Sequence, residues 1–376
     1  MILKNGYVVD QDFVLKKLDI DIQGKTILNV GECISGDEEL DLKGKYILPG
    51  FIDTHIHGAY GTRISDDKPH LEKISSFEAT QGVTSIAITT TSSPLSELYK
   101  QFEIAAQASA CVSGAKIAAI HMEGPFISEK YKGAMNADYI IDSDITLFDE
   151  LLKKSNGLLK IMTIAPENKN ADKLVEYAVK KGVTVSMGHT NATYDETNRI
   201  IKAGATQLTH TFNAMRPINH REPGVLGACF TNSDIVCEVI CDFVHLHPSI
   251  VKLIYDIKGS ERINVISDSG HAAGLNVTEF VVDGLTRYVK DGVVRLADGT
   301  IAGSAKTMLD GVKNLISLGV PIEEVSKMSS YNPAKTLRLD KITGSIKKGN
   351  LADMVVLDAN YNVIYTFVNG KLVYSR

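Results

Sequence analysis

The sequence predicts an α/β fold: a (β/α)8 TIM barrel joined to a small β-sandwich domain that is formed from both chain termini. Two observations indicate this fold. Eight short apolar runs typical of buried strands recur between residues 50 and 266, and segments able to form helices, such as 172–181 and 194–203, separate them. Short strand-like segments also fill both ends of the chain, and neither end is long enough to build a core alone.

Three segments follow from this pattern. We expect residues 1–48 to form the N-terminal part of the small β domain, residues 49–345 to form the barrel, and residues 346–376 to complete the small domain. A doubly wound open sheet is the alternative architecture. It ranks second because the first expected barrel strand lacks the Gly-x-Gly-x-x-Gly turn of a dinucleotide-binding fold.

Composition and charge argue against several classes of protein. The chain has 376 residues, of which 44% are hydrophobic, enough for a large core. Forty Lys and Arg against 45 Asp and Glu give a net charge of -5, unlike the basic surface of a nucleic-acid-binding protein. Five cysteines without a Cys-x-x-Cys pair argue against a disulfide scaffold or a cysteine zinc site. The sequence shows no evident signal peptide and no apolar run long enough for a membrane span, so we expect a cytoplasmic protein without a nucleic-acid or membrane partner.

Polar residues that could carry chemistry follow most of the expected strands. The strands span residues 50–55, 83–88, 116–121, 159–164, 183–187, 207–210, 235–240 and 263–266. In a barrel of this type the active site lies at the carboxyl ends of the strands. Six of these ends carry histidine or carboxylate side chains: His55 with His57, His121 with Glu123, His189, His210, Asp242 with His245, and Asp268.

This set of side chains predicts a metal site. Because side chains alternate along a strand, His55 and His57 point to the same side of the first strand. Imidazole and carboxylate groups are ligands that zinc prefers and that also suit iron. A single histidine is more often a satisfied core residue, but six strand ends that supply such groups together indicate a functional site. His121 either shares the face of Glu123 or supports the site from behind.

Several motifs resemble a known family. The run from Pro49 to Gly58, which contains Asp53-Thr54-His55-Ile56-His57, resembles the opening signature of the amidohydrolase superfamily. Further runs resemble one branch of it, the N-acetylglucosamine-6-phosphate deacetylases, over nearly the whole chain; they lie at residues 121–126, 132–136, 188–193, 209–215, 332–335 and 344–349.

The resemblance implies roles for the residues at the strand ends. Glu123, His189 and His210 match the principal metal ligands, while His55 and His57 match ligands of a second metal that Glu123 bridges. One or two divalent metal ions, zinc or iron, are therefore expected. Asp268 matches the catalytic carboxylate, which takes a proton from water and passes it to the leaving amine.

The resemblance also implies the residues that contact the substrate. His245 matches a histidine that contacts the substrate and could donate to the acetyl oxygen. Asn213, Ala214 and Arg221 match phosphate-binding positions, and the planar guanidinium of Arg221 suits phosphate. The remaining expected substrate-binding residues are Ala134, Met135, Ile301, Ala302 and Gly303. Met135 stands where the family commonly has histidine, which leaves the exact hexosamine open, and a surface ion pair with Glu222 is the alternative role for Arg221.

The expected activity is metal-dependent hydrolysis of N-acetylglucosamine 6-phosphate to glucosamine 6-phosphate and acetate, by a homodimer in which Arg221 could reach the neighbouring subunit. Three alternatives stand beside it. The first is a deacetylase for N-acetylgalactosamine 6-phosphate. The second is a ring-opening enzyme like dihydroorotase, which usually needs a carboxylated lysine after the fourth strand, where this chain has Ile164-Ala165-Pro166-Glu167. The third is a catalytically silent barrel, which should have lost ligands that this chain retains.

Overall fold

The structure is a computed structural model that describes residues 1–64, 67–282 and 285–376. The strands in these ranges are β1 (Ile2–Val9), β2 (Leu15–Gln23), β3 (Thr26–Gly31), β4 (Glu39–Asp41), β5 (Tyr46–Pro49), β6 (Phe51–Ile56), β7 (Gly58–Ala59), β8 (Thr62–Arg63), β9 (Val83–Thr90), β10 (Lys116–Glu123), β11 (Leu159–Ile164), β12 (Thr184–Met187), β13 (Gln207–Leu208), β14 (Val236–Ile240), β15 (Ile263–Ile266), β16 (Glu279–Val282), β17 (Leu285–Lys290), β18 (Val293–Arg295), β19 (Ile301–Ser304), β20 (Met354–Leu357), β21 (Val363–Val368) and β22 (Lys371–Ser375).

Helices separate most of the central strands. They are α1 (Lys68–Thr80), α2 (Leu95–Ala108), α3 (Ile145–Lys154), α4 (Ala171–Lys180), α5 (Tyr194–Ala203), α6 (Gly224–Thr231), α7 (Pro248–Lys258), α8 (Met308–Ser317), α9 (Ile322–Ser326) and α10 (Asn332–Thr336). Single 3-10 turns lie at Glu129–Tyr131, Ala137–Tyr139 and Ser260–Arg262, and a π turn lies at Lys327–Tyr331. Across the described ranges, no helix combines the length and apolar character that crossing a membrane requires.

Eight parallel strands form a nearly closed barrel, in the order β6, β9, β10, β11, β12, β13, β14 and β15. Backbone hydrogen bonds link the last strand end to the first: the Asp268 N–H donates to the His55 carbonyl (3.0 Å), and the His57 N–H donates to the Ser269 carbonyl (2.8 Å). The predicted barrel is confirmed. Its sixth strand ends at Leu208 rather than at the expected residue 210, because the backbone leaves the extended conformation before His210, whose φ angle is 25°.

The end of the barrel opposite the histidines is filled by apolar side chains. Ile52, Ala87, Ala119 and Ile161 come from four neighbouring strands and pack with Ala334 and Leu337 in one cluster. A much larger cluster lies between the strands and the surrounding helices. These packed layers hold the strand ends in place, so the polar side chains at the opposite mouth are carried on a rigid scaffold.

The two chain termini form one mainly antiparallel sheet, in the order β22, β21, β20, β5, β1, β2 and β3, with β4 paired to β1. The junction is the antiparallel pair of β5 and β20, which joins Pro49 to Met354. The sheet has its own buried cluster, to which Leu3, Ile20 and Phe367 belong. The small β domain formed from both termini is therefore confirmed, while its boundaries at residues 48/49 and 345/346 stay a prediction.

A single residue, Gly50, separates the small domain's β5 from the barrel's β6. A Cβ atom at this position would lie 2.1 Å from the Thr84 Cγ2 atom on β9, well inside van der Waals contact. The junction between the two sheets therefore requires glycine, because the chain passes directly against the neighbouring strand.

An antiparallel sheet of β16 to β19, which the sequence pattern did not predict, follows the last barrel strand. Its last strand returns to the barrel mouth. The Ser304 N–H donates to the Asp268 carbonyl (3.1 Å), and the Gly270 N–H donates to the Ser304 carbonyl (3.0 Å). The backbone of Asp268 is therefore fixed by β19 on one side and by the first barrel strand on the other.

Candidate metal centre and active site

One carboxylate, that of Glu123, lies at the centre of the barrel mouth between two groups of ligand atoms. In the first group the Nε2 atoms of His189 and His210 lie 3.1 and 2.9 Å from Glu123 Oε1. The two Nε2 atoms are 3.1 Å apart. All three side chains are buried, so these donor atoms converge on one small region that is shielded from solvent.

The second group consists of His55, His57 and Asp268. The Nε2 atoms of the two histidines are 3.2 Å apart, and they lie 3.6 and 3.2 Å from Asp268 Oδ1. Glu123 reaches this group too: its Oε1 is 3.3 Å from His55 Nε2 and its Oε2 is 3.3 Å from His57 Nε2. Glu123 is thus placed to bridge the two groups.

All four histidines present Nε2 to the centre, because an acceptor lies at each Nδ1. His57 Nδ1 donates to the Thr89 carbonyl (2.9 Å), His189 Nδ1 to the Tyr131 carbonyl (2.8 Å), and His210 Nδ1 to the Asn213 carbonyl (3.1 Å). His55 Nδ1 donates to the carboxylate of Glu238 (3.1 Å). Such outer hydrogen bonds fix the tautomer that leaves the Nε2 lone pair free for a metal.

These donor atoms fit a divalent metal. Tetrahedral ligands about 2.0–2.1 Å from a zinc ion lie roughly 3.3–3.4 Å from one another. The separations within the two groups, from 2.9 to 3.6 Å, bracket that value without rearrangement of the side chains. Imidazole nitrogen and carboxylate oxygen are the donor set that zinc takes in catalytic sites and that suits iron as well.

The electrostatics of the cluster favour a cation. Burial alone would lower the pKa of His57, but hydrogen bonds to Asp268 and Glu123 raise it to about 9. Burial likewise opposes the charged form of His55, and the charges of Glu123 and Asp268 raise its pKa well above the usual range. Burial would raise the pKa of Glu123, yet the neighbouring histidines, His55 first, hold it well below the usual range. A metal ion must displace the protons held here, so its binding weakens as pH falls.

Three residues of the cluster adopt left-handed backbone conformations. The φ angles of His189, His210 and Asp268 are 46°, 25° and 47°. Such conformations cost about 1–3 kcal/mol each for residues with a side chain, and in proteins they concentrate at functional sites. Each of them follows the carboxyl end of a barrel strand, where the turn directs the side chain into the mouth.

His245 lies in the same mouth, and Asp242 fixes its ring. His245 Nδ1 donates to Asp242 Oδ2 (2.7 Å), and the Asp242 Oδ1 atom accepts from the Val244 and His245 N–H groups. Burial opposes the charged form of His245, but the hydrogen bond to Asp242 and the charges of Asp242 and Asp268 raise its pKa. Asp242 therefore fixes the ring through Nδ1 and favours the protonated imidazole, in which Nε2 also carries an N–H.

The predicted phosphate-binding segment begins at the metal cluster. The Asn213 carbonyl accepts from His210 Nδ1, and the Ala214 carbonyl accepts from the Thr190 N–H (3.1 Å). Arg221 is exposed, and its N–H donates to the Asn219 side chain. The alternative ion pair with Glu222 is absent among the residues that the structure describes, where Glu222 Oε1 accepts backbone N–H groups at the starts of α5 and α6 instead.

The other predicted substrate-binding residues belong to segments that reach the mouth. Ala134 and Met135 lie in the loop that supplies the Tyr131 carbonyl to His189. Ile301, Ala302 and Gly303 lie on β19, whose end is hydrogen-bonded to the Asp268 backbone. Their contacts with a sugar stay a prediction.

His121 supports the site from behind. Its Nδ1 donates to the Thr54 carbonyl (3.1 Å), and its Nε2 hydrogen-bonds the Thr163 hydroxyl (2.8 Å). Both ring nitrogens are thus engaged. Of the two roles that the sequence left open, the structure gives His121 the supporting one.

Two carboxylates near the cluster were missed by sequence reasoning. Glu238 on β14 is fully buried against His55. Glu167 accepts from the Asn191 N–H (2.6 Å) and from the Thr190 hydroxyl, which holds the turn that follows His189. A charged residue within the apolar strand 235–240 was the available signal for Glu238.

Comparison with known proteins gives the same result as the geometry. A family model described as "Amidohydrolase family" matches residues 46–373. The N-acetylglucosamine-6-phosphate deacetylase of Lysinibacillus sphaericus is 32% identical over 99% of this chain and 97% of its own length. The N-acetylgalactosamine-6-phosphate deacetylase of Escherichia coli O157:H7 is 34% identical over 87% of each.

A solved structure adds the three-dimensional likeness. The N-acetylglucosamine-6-phosphate deacetylase from Thermotoga maritima is 33% identical, superposes with a TM-score of 0.91, and the match covers 100% of both chains. The resemblance to that branch of enzymes is confirmed. The chain belongs to the amidohydrolase family.

Proposed function

We propose that this protein hydrolyses the N-acetyl group of N-acetylglucosamine 6-phosphate, giving glucosamine 6-phosphate and acetate in amino-sugar catabolism. The observation that carries the proposal is the position of Glu123 between two histidine groups, with the carboxylate of Asp268 beside one of them. The whole-length likeness to a solved N-acetylglucosamine-6-phosphate deacetylase supports the substrate.

The metal has a defined part in this scheme. We assign Glu123, His189 and His210 to one divalent ion. We assign His55 and His57, with the Glu123 carboxylate 3.3 Å from both Nε2 atoms, to a second ion, with zinc or iron as the metal. When bound there, a divalent metal lowers the pKa of water and polarises a carbonyl group, which makes a stable amide susceptible to attack.

Asp268 moves the proton in this proposal. An amide is a poor electrophile with a poor leaving group, so its hydrolysis needs a base for the water and an acid for the departing nitrogen. Asp268 is in the ionised form, because the neighbouring histidines His55 and His57 outweigh its burial and lower its pKa. It accepts the proton of the attacking water and then delivers it to the amine.

His245 and the phosphate-binding residues orient the substrate. The His245 ring is fixed through Nδ1 by Asp242, which also favours the protonated imidazole. In that form Nε2 carries a second N–H, which can donate to the acetyl oxygen as negative charge develops there. Arg221, with Asn213 and Ala214, binds the phosphate group. Ala134 and Met135 face the sugar from the loop over His189, and Ile301, Ala302 and Gly303 do so from β19.

A cytoplasmic homodimer is part of the same proposal. Arg221 lies in an exposed loop that also contains Ile218, of which 52% is exposed. An apolar side chain beside a cation in such a loop suits a contact with a second copy of the chain. Arg221 then acts on phosphate in the neighbouring subunit.

Met135 supports a second candidate substrate, N-acetylgalactosamine 6-phosphate. A thioether beside the sugar offers only a weak acceptor and no donor with which to distinguish the orientation of a hydroxyl group. The likeness to the deacetylase from Escherichia coli named above also favours testing this epimer.

A direct assay separates these possibilities. Purified protein is supplied with both N-acetylhexosamine 6-phosphates and both unphosphorylated sugars, acetate release is followed, and bound metal is measured. We expect the highest kcat/KM for N-acetylglucosamine 6-phosphate. Equal rates with and without phosphate would contradict the assignment of substrate class, and a higher kcat/KM for the galactosamine epimer would replace the proposed substrate.

A further inference from the structure

Among the four histidines at the centre, His55 is held differently from the rest. His57, His189 and His210 each donate Nδ1–H to a neutral backbone carbonyl. His55 donates to a carboxylate, that of Glu238, and the donor and acceptor side chains are both fully buried. A carboxylate at this position makes the imidazole a stronger ligand than a carbonyl does, because its charge raises the electron density at Nε2.

The orientation of Glu238 is fixed by a buried network. Its Oε1 atom accepts from Gln207 Nε2 (2.7 Å), and its Oε2 atom faces His55 and also the His210 N–H (3.4 Å). Gln207 is oriented in turn, because its Oε1 accepts from the Thr336 hydroxyl (3.2 Å) and lies 3.4 Å from Asn264 Nδ2. These contacts give the Gln207 amide a donor end that faces Glu238 and an acceptor end that faces Thr336.

Glu238 also adds to the negative charge of the centre. Across residues 1–64, 67–282 and 285–376, the structure gives its carboxylate no lysine or arginine partner. Glu123 and Asp268 lie on the other side of the histidines and are also carboxylates. A fully buried carboxylate is costly unless positive charge compensates it. One divalent cation leaves part of the negative charge of these three carboxylates uncompensated, and a second cation more than offsets the remainder.

We infer that Glu238 is a positioning residue that makes the His55–His57 position bind a second divalent cation. It does so by fixing the Nδ1–H tautomer of His55 and by supplying negative charge behind that ring. The inference deepens the proposed function, since it concerns the same centre. Glu238 does not contact the metal or the substrate. It acts through His55.

The substitution Glu238→Gln tests this role with little change of shape. The amide has one acceptor end and one donor end. In either orientation the new amide removes the charge behind His55. In the orientation that keeps the Gln207 N–H paired, its oxygen faces Gln207 and its NH2 faces His55 Nδ1. His55 Nδ1 then accepts, its proton moves to Nε2, and the lone pair that would bind the metal is lost.

The experiment is a calorimetric titration of metal-free protein with Zn²⁺ alone. Wild-type protein should bind two equivalents. Glu238→Gln should bind the second roughly 10- to 100-fold more weakly, the usual effect of removing such an outer partner, and the first with unchanged affinity. The matched control is Glu78→Gln, because Glu78 is a buried glutamate on α1 without contact to the histidines, and burial raises its pKa well above the usual range. This control should titrate like the wild type.

Several outcomes would overturn the inference: a wild type that binds a single equivalent, a Glu238→Gln protein with an unchanged second affinity, or an equal loss at both positions. If Glu238→Gln does not fold, the zinc-loaded wild type labelled with ¹⁵N-histidine decides the question. The His55 signal, assigned by its loss in His55→Ala, should show a proton on Nδ1, and a proton on Nε2 would refute the role. The zinc titration and the NMR measurement use no substrate, so their outcome does not depend on the outcome of the deacetylase assay.

Discussion

Asp268→Asn removes the proposed proton acceptor while changing the structure very little. The Asp268 backbone is held by hydrogen bonds to His55 and Ser304 that do not involve its side chain. Asparagine is nearly isosteric with aspartate and has a polar atom at each of the two positions that the carboxylate oxygens occupy. The first metal position, formed by Glu123, His189 and His210, does not include Asp268. The protein should therefore fold and retain metal at that position.

The expected loss falls on kcat. Asparagine cannot accept the proton of the attacking water, and general acid–base catalysis contributes about 10²- to 10⁴-fold. At about 1.4 kcal/mol per tenfold change, this is roughly 2.7–5.4 kcal/mol in the activation free energy. KM should change much less, because the proposed phosphate contacts are carried by Arg221, Asn213 and Ala214.

The matched control is Asp144→Asn. Asp144 caps the start of α3, where its carboxylate accepts from the Thr146 and Leu147 N–H groups (2.7 and 3.2 Å). Asparagine caps a helix about as well as aspartate, so this variant should keep kcat and stability. Steady-state kinetics and elemental analysis of both variants provide the measurement. Near-normal kcat in Asp268→Asn with intact metal would refute the proton-transfer role and leave Asp268 with a structural one.

The remaining predictions concern the metal, the phosphate and the junction between the domains. His210→Ala should remove most metal and nearly all activity, and a full metal content in this variant would refute its assignment as a ligand. His55→Ala should lower the metal content without abolishing turnover, and a metal content equal to that of the wild type would refute the second metal position. Arg221→Ala should raise KM for the phosphosugar and change little for the unphosphorylated sugar, and an equal loss with both would indicate a structural role. Gly50→Ala should lower the melting temperature because its Cβ overlaps Thr84, as calorimetry can test, and an unchanged melting temperature would refute the close-approach argument.

The arrangement of the site was largely predictable from strand periodicity. His55 and His57 follow a run of apolar residues, and Glu123, His189 and His210 follow three more. Since parallel strands in a barrel end at the same mouth, locating the strand ends was sufficient to bring these side chains together. The structure adds the distances and shows which nitrogen of each ring faces the centre.

The supporting groups were harder to predict. Glu238 lies inside a strand rather than at its end, so the rule that located the ligands could not select it. The choice between two roles for His121 depended on its hydrogen bonds to Thr54 and Thr163, which are distant in sequence. Sequence periodicity describes one element at a time, whereas these contacts join different strands.

The sheet formed by β16 to β19 was missed for a related reason. Its strands follow the eighth barrel strand, where the repeating strand–helix pattern had already ended. The family resemblance alone drew attention to Gly303, and the structure shows why this region matters. Its last strand fixes the backbone of Asp268, so the proposed catalytic carboxylate is held by an element outside the barrel repeat.

Metal-dependent deacetylation of a phosphosugar can be tested most directly by one measurement. Acetate release from N-acetylglucosamine 6-phosphate is followed with protein that has been stripped of metal and then reconstituted with Zn²⁺ or Fe²⁺. We predict negligible turnover in the stripped protein and restored turnover as the position formed by Glu123, His189 and His210 fills. Turnover that is unchanged after complete removal of metal, or absent from the fully reconstituted protein, would contradict the account.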